Sequence, residues 1–327
     1  MADTHQLKPS TISHQEVARQ DLETAPLRLD DFNIERVMSD FAGITSSKAV
    51  RCGASGFRKR VLLKVAREAM TEAPDANQRI IDEARIGMRV AHPNLLQVLD
   101  LGRDQDRLFL VREWVVGVGA RSLMARTWSA RRSLPTAASL RIGICLARAL
   151  AYLHGLRSVR WAPAGISHRL VTPGNVIISA RGEVRLTNLS RAEVDARFDS
   201  EWRQVDDGFP AFAAPEVLAG ESPTHSSDIY GLGALLYEAL TGPDAMVGSP
   251  DSDWTRTRRT LDLQSEIAAS GLPRTLRQLL IDATSREPSE RPAATEINSG
   301  LRRWLYDALD SDGEDELRQA VANAGAI

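Results

Sequence analysis

The feature that most constrains this chain is a change of hydrophobic period near residues 113–119. Upstream, apolar side chains fall in short runs of strand length: Phe32 with Ile34, then Val50, then Arg60-Val-Leu-Leu-Lys-Val65, with further candidates at 95–101 and 108–111. A Gly/Ser/Thr stretch at 43–47 predicts a turn, 71–74 a loop, and Ile80, Ile81, Ala84 and Met88 lie at helical spacing within 76–90. Downstream of Gly117 and Gly119 the period is helical, over 139–156, 227–240, 274–284 and 293–309. Short strand candidates at 176–178 and 184–187 and an irregular stretch at 188–213 interrupt it. The pattern predicts an α+β, bilobal protein: a small β-rich lobe over 30–112 and a larger α-helical lobe over 113–309. The polar stretch 1–29 reads as a mobile leader, and the acidic tail 310–327 as a frayed helix or disordered end.

Composition removes whole classes of function. Among 327 residues, 41 basic side chains against 43 acidic ones leave a net charge of −2, unlike a dedicated nucleic-acid binder. No run of eighteen apolar residues offers a membrane span, and MADTHQLKPS lacks the basic-then-apolar order of a signal peptide. Cys52 and Cys145 have neither the number for a disulfide framework nor the company a zinc site needs. The expectation is a cytoplasmic protein with protein partners and no nucleic-acid or membrane partner.

Seven short stretches, in order and with the right spacings, resemble the eukaryotic-like Ser/Thr protein kinases of bacterial type. They are Val61-Leu-Leu-Lys64; Glu83 followed by His92-Pro-Asn94; His168-Arg-Leu-Val-Thr-Pro-Gly-Asn175; Arg185-Leu-Thr-Asn-Leu-Ser190; Ala214-Pro-Glu216; Ser227-Asp-Ile-Tyr-Gly-Leu-Gly233; and Glu287-Pro-Ser-Glu-Arg-Pro292. The resemblance covers residues 30–309 and implies the bilobal protein-kinase fold. It makes Lys64 the phosphate-binding lysine, Glu83 its helical partner and Asn175 a metal-side amide, together a vestigial nucleotide-binding set.

Phosphoryl transfer depends on positioning and charge neutralisation, so each charged part matters. Where the family carries its catalytic aspartate this chain has Leu170, which cannot accept the substrate hydroxyl's proton; such a base contributes roughly 10² to 10⁴-fold. Thr172 replaces the lysine that balances the transferring phosphate, Asn188 the magnesium-chelating aspartate and Ser190 the following glycine. With no catalytic residue intact, the resemblance implies a pseudokinase, a scaffold or allosteric regulator needing no metal; the alternatives are a nucleotide sensor and a weakly active, atypical kinase.

The pocket is degenerate too. The glycine-rich loop brings bare backbone close to phosphates. Its three glycine positions read Ser39, Phe41 and Ile44, or Gly43, Thr45 and Lys48 if anchored on Val50, so at most one glycine survives. Leu62 replaces the small alanine that packs on adenine, and Arg112 stands at the gatekeeper position. A buried arginine must find an acid or reach water. Either its stem fills the space left by Gly87 and its guanidinium reaches Glu83, plugging the pocket, or it snorkels out along the wall.

His168, Arg169, Glu216, Asp228 and Arg291 read as scaffold: Glu216 with Arg291 as a buried ion pair, and Asp228 as acceptor of backbone N–H groups near His168. The stretch 191–213 carries Asp195, Asp199, Glu201, Asp206 and Asp207, any of which would pair with Arg169 without phosphorylation. Interface candidates are an insertion at 155–167, the arginine-rich stretch 121–132 with Trp128, and Trp254 with Arg256, Arg258 and Arg259.

Overall fold

The structure, a computed structural model, describes residues 27–41, 43–67, 76–105, 107–129, 133–157, 165–189, 209–242 and 262–325. The first lobe is an antiparallel sheet ordered β1-β2-β3-β5-β4, from β1 (Phe32–Phe41), β2 (Ile44–Cys52), β3 (Arg58–Ala66), β4 (Val98–Asp104) and β5 (Arg107–Glu113), with α1 (Ala76–Gly87) against it. Strand alternation sorts its side chains. Val61 and Leu63 join Phe32, Ala49, Phe109 and Val111 on the outer face. Ala66, Val98 and Leu110 meet Ile80 and Ala84 of α1 on the other. Leu62, Lys64 and Arg112 share that second face, with Leu62 opposite Arg112 and Lys64 opposite Leu110.

The second lobe opens with β6 (Gly117–Gly119) and α2 (Ala120–Ser129). Its centre is α3 (Thr136–His154), against which α6 (His225–Thr241), α9 (Ala294–Leu309) and α10 (Glu314–Asn323) pack. By length and composition α3 would suit a membrane span, but most of it is buried in this lobe. A small sheet of β6, β7 (Val176–Ser179) and β8 (Val184–Leu186) carries the loops facing the first lobe. The lobe is completed by α4 (Phe209–Phe212), α5 (Pro215–Leu218), α7 (Leu263–Ala269) and α8 (Arg274–Ala283).

Three elements depart from the pattern reading. Residues 44–47, expected as turn, belong to β2, because pairing with β1 continues to Phe41 opposite Ile44. The apolar run at 95–101 is split: Leu95 bridges to Leu186 in the other lobe and β4 begins only at Val98. The tail is neither frayed nor disordered over 314–323, since α10 buries Leu317 and Val321 completely. Arg141 pairs with Glu314 at 2.7 Å, and Arg126 Nη1 donates to the Ala324 carbonyl at 2.7 Å. Gly313 makes this docking possible: its φ is 76°, and a Cβ there would lie 2.3 Å from the Ala137 carbonyl oxygen. The acids Glu314, Asp315 and Glu316 lie in the first turn, where the helix dipole favours them. Their charge hid an anchor of only two apolar side chains.

Candidate functional site

Three elements of the first lobe aim charge at one point. β3 supplies Lys64, α1 supplies Glu83 and β5 supplies Arg112. Lys64 Nζ donates to Glu83 Oε2 at 2.7 Å, and Arg112 Nη1 donates to the other carboxylate oxygen, Oε1, at 2.5 Å. Arg112 is 2% exposed and Glu83 1% exposed, so this is a desolvated arrangement of two cations on one acid. Burial alone would raise the Glu83 carboxyl, but Lys64 and Arg112 together outweigh it and hold it below its ordinary range. The Nε of Arg112 is buried without a hydrogen-bond partner among the described residues.

The guanidinium therefore reaches Glu83 rather than snorkelling outward. The stem, however, does not fill the space at Gly87. A Cβ on Gly87 would lie 2.1 Å from Val98 Cγ2, so Val98, which faces Arg112 across β4 and β5, occupies it. Glycine on α1 lets the helix close onto Val98.

On the facing lobe, Asn188 stands at the position of the family's metal-chelating acid, beside the retained amide of Asn175. Lys64 Nζ also donates to Asn188 Oδ1 at 3.3 Å, Asn188 Nδ2 donates to Asn175 Oδ1 at 2.8 Å, and Asn175 Nδ2 donates to the Leu170 carbonyl at 2.9 Å. This chain uses both amide oxygens internally. Mg²⁺ prefers carboxylate oxygens in near-octahedral geometry, so this donor set does not fit the metal the fold implies. Leu170 is 4% exposed and Thr172 is also buried. The backbone is left-handed at Arg169 and Asn188, φ 69° at each, which re-aims both turns.

The roof is the β1–β2 hairpin, whose ladder runs through Ser39 opposite Ser46 to Phe41 opposite Ile44. The reversal is taken at Gly43, φ 76°. At the mouth, Lys48 pairs with Glu35 at 2.8 Å and lies 5.4 Å from the Trp114 ring centroid. Leu62, half-buried, stands between Lys48 and Arg112 in the strand registers.

Asp228 at the start of α6 holds the loop that carries Leu170. Its carboxylate accepts from the backbone N–H of His168 and of Arg169, both at 2.7 Å, and lies 2.9 Å from His154 Nε2. His225 stacks on His154 with ring centroids 4.1 Å apart. Burial, then the neighbouring His154, lowers the His225 pKa. The His168 ring lies 2.7 Å from the Thr187 carbonyl. Below, Arg291 grips Glu216 at 2.6 and 2.8 Å and donates Nε to the Ser285 carbonyl at 2.8 Å.

Hydrogen bonds join Lys64, Glu83, Arg112, Asn188 and Asn175 at the cleft, and Glu216 meets Arg291 while Asp228 accepts from the His168 and Arg169 backbone. Sequence reasoning missed Lys48 over Trp114, Val98 under Gly87 and the His154–His225 stack, because each is a contact between distant elements with no local pattern. Trp128 is not the exposed anchor expected: it is half-buried against the core of the large lobe. The insertion is pinched at its base, Gly165 N–H donating to the Leu156 carbonyl at 2.8 Å and Ile166 N–H to the Leu153 carbonyl at 2.9 Å. Residues 158–164, the acidic stretch 191–208, Ser190, the leader to residue 26, and Trp254 with Arg256, Arg258 and Arg259 lie outside the described residues.

The fold and these positions define a protein kinase domain. The chain matches that family over residues 45–300, and it belongs to it. It is similar to the tyrosine-protein kinase MasK of Myxococcus xanthus, 28% identical over 80% of this chain and 41% of that one. It also resembles the serine/threonine-protein kinase PknK of Mycobacterium tuberculosis, 31% identical over 77% and 22%. The likeness extends to the serine/threonine-protein kinase PkaB of Streptomyces coelicolor, 28% identical over 75% and 57%. The chain thus spans less than two thirds of each of these relatives.

Proposed function

We propose that this chain is a non-catalytic member of the kinase family, a pseudokinase that regulates other proteins in the cytoplasm by binding them. The observation that carries the reading is the buried Lys64–Glu83–Arg112 constellation, in which a second cation takes the carboxylate oxygen opposite the lysine. Leu170 at the position of the base, Thr172 at that of the phosphate-balancing lysine and the mutually bonded Asn175 and Asn188 support it from the other lobe. Arg112 behind the cleft and Leu62 on its roof face disfavour a nucleotide, and no magnesium-dependent step is assigned.

A thermal-shift titration with ATP and ADP, with and without Mg²⁺ or Mn²⁺, tests this. A ligand at a hundredfold excess over its Kd stabilises the native state by about 2.7 kcal/mol. The expected result is no shift. A metal-dependent shift together with transfer of radiolabelled phosphate would overturn it.

A second reading, a nucleotide sensor or an atypical kinase, is favoured by the retained Lys64–Glu83 bond at 2.7 Å and by Asn175. It agrees with the kinase names of the relatives, and it takes Asp206 or Asp207 as a substitute base. A metal-independent shift selects the sensor, and measurable phosphotransfer selects the kinase.

A further inference from the structure

Charge is distributed unevenly in the small lobe. Between Asp40 and Glu68 the chain has seven cations (Lys48, Arg51, Arg58, Lys59, Arg60, Lys64 and Arg67) and no acidic residue, in a protein of net charge −2. Five of these meet acids from elsewhere: Lys48 and Arg60 meet Glu35, Arg51 meets Asp100, Lys64 meets Glu83, and Arg67 meets Asp40. Arg58 and Lys59, both exposed, are in no ion pair among the described residues.

These two cations begin β3 at the tip of the β2–β3 hairpin. Gly53 N–H donates to the Phe57 carbonyl at 2.8 Å, closing the turn. Gly56 (φ 78°) and Ser55 (φ 56°) complete it with left-handed backbone. Phe57, the residue this turn presents, is 57% exposed, and its ring leans on Gly53.

We propose that this tip is a peripheral docking point for an anionic lipid surface. Successive strand residues point to opposite faces, so Arg58 and Arg60 lie on one face of the ribbon and Lys59, opposite Arg51, on the other. A partner docked on one face meets only half of this charge, whereas a plane approached end-on meets all of it. A convex tip with one aromatic side chain suits a surface that yields around it, because the bilayer interface accepts an amphipathic contact without a preformed pocket. The expectation of no membrane partner rested on the lack of an apolar run of spanning length, which a peripheral contact does not need. The inference is independent of the nucleotide cleft.

The test is co-sedimentation of the full chain with vesicles of phosphatidylcholine alone and of phosphatidylcholine with 30% phosphatidylglycerol, at low and high salt. Each basic side chain near an anionic membrane contributes about fivefold to binding. Salt-sensitive binding to the anionic vesicles only is expected, with Arg58→Glu/Lys59→Glu weakening it at least tenfold and Phe57→Ser weakening the salt-resistant remainder. Arg302→Glu/Arg303→Glu, exposed cations on α9, leave it unchanged, and melting curves confirm that each variant folds. No vesicle binding, or equal binding by the Arg58→Glu/Lys59→Glu variant, overturns the proposal. So does binding to polyglutamate or duplex DNA without vesicle binding, which assigns the tip to an acidic macromolecule instead.

Discussion

Two carboxylates in this molecule are held by arginine, and the difference between them separates scaffold from site. In the large lobe Glu216 receives both forks of Arg291, whose side chain is fully buried. Arg291 donates further to the carbonyls of Ser285 and Ser226 and packs on the Tyr230 ring. Charge balances one to one, and the planar fork matches the carboxylate. In the small lobe Glu83 is shared between Lys64 and Arg112, one oxygen each, and Arg112 Nε has no hydrogen-bond partner among the described residues. Two cations on one acid, with neutral Asn188 rather than a second carboxylate, leave that cluster with excess positive charge. A balanced, saturated pair ties elements together; the unbalanced cluster leaves one cation in excess and one guanidinium nitrogen without a partner among the described residues.

The comparison breaks first at the saturated pair. Glu216→Ala strands Arg291 without its acid, and removing one partner of a buried pair costs about 3–5 kcal/mol. Urea denaturation checks it, and a loss below 1 kcal/mol would place the scaffold elsewhere. Leu317→Ala, which leaves a cavity where α10 docks on the large lobe, is next, at about 2–4 kcal/mol by the same measurement.

Arg112→Met sharpens the contrast from the other side. It removes the second cation and the unpartnered nitrogen while keeping Glu83 paired with Lys64. Stability is expected to hold or rise, by about 0–2 kcal/mol, because replacing buried charge with an apolar stem of similar length is often neutral or favourable. If the arginine closes the cleft, the variant also gains a thermal response to ATP that the parent lacks. Equal responses in parent and variant would show that Arg112 is structural only.

The smallest expected effect is a pH dependence. The His225 imidazole has its pKa depressed in the fold by burial and by His154, so the unfolded chain takes up that proton first. Stability from this source is complete above the ordinary imidazole range and falls as pH drops through about 6.5 toward the lower folded value. His92, also depressed by burial, adds in the same window. Glu83, lowered in the fold, contributes above the ordinary carboxylate range and is lost only at more acid pH. His225→Gln, which keeps a polar side chain but does not titrate, should flatten part of the slope between pH 7 and 5.5 in chemical denaturation. An unchanged slope would exclude the stacked pair as its source.

The periods of 2 and 3.6 and the order of seven short motifs were enough to give the α+β class, the family and the positions of Lys64, Glu83, Arg112, Asn175 and Asn188, because each is written in adjacent or regularly spaced positions. That Leu170 cannot act as a base is likewise chemistry of the residue itself. Only the tertiary structure decided whether the Arg112 guanidinium turns to Glu83 or snorkels outward, since the choice depends on whether Glu83 lies within reach across a helix and a strand. It also gave the Gly87 space to Val98, and turned the acidic tail into a docked helix through Leu317, Val321 and Gly313. Local propensity carries no record of what a side chain meets from 30 or 170 residues away, and in this protein those meetings distinguish the scaffold from the site.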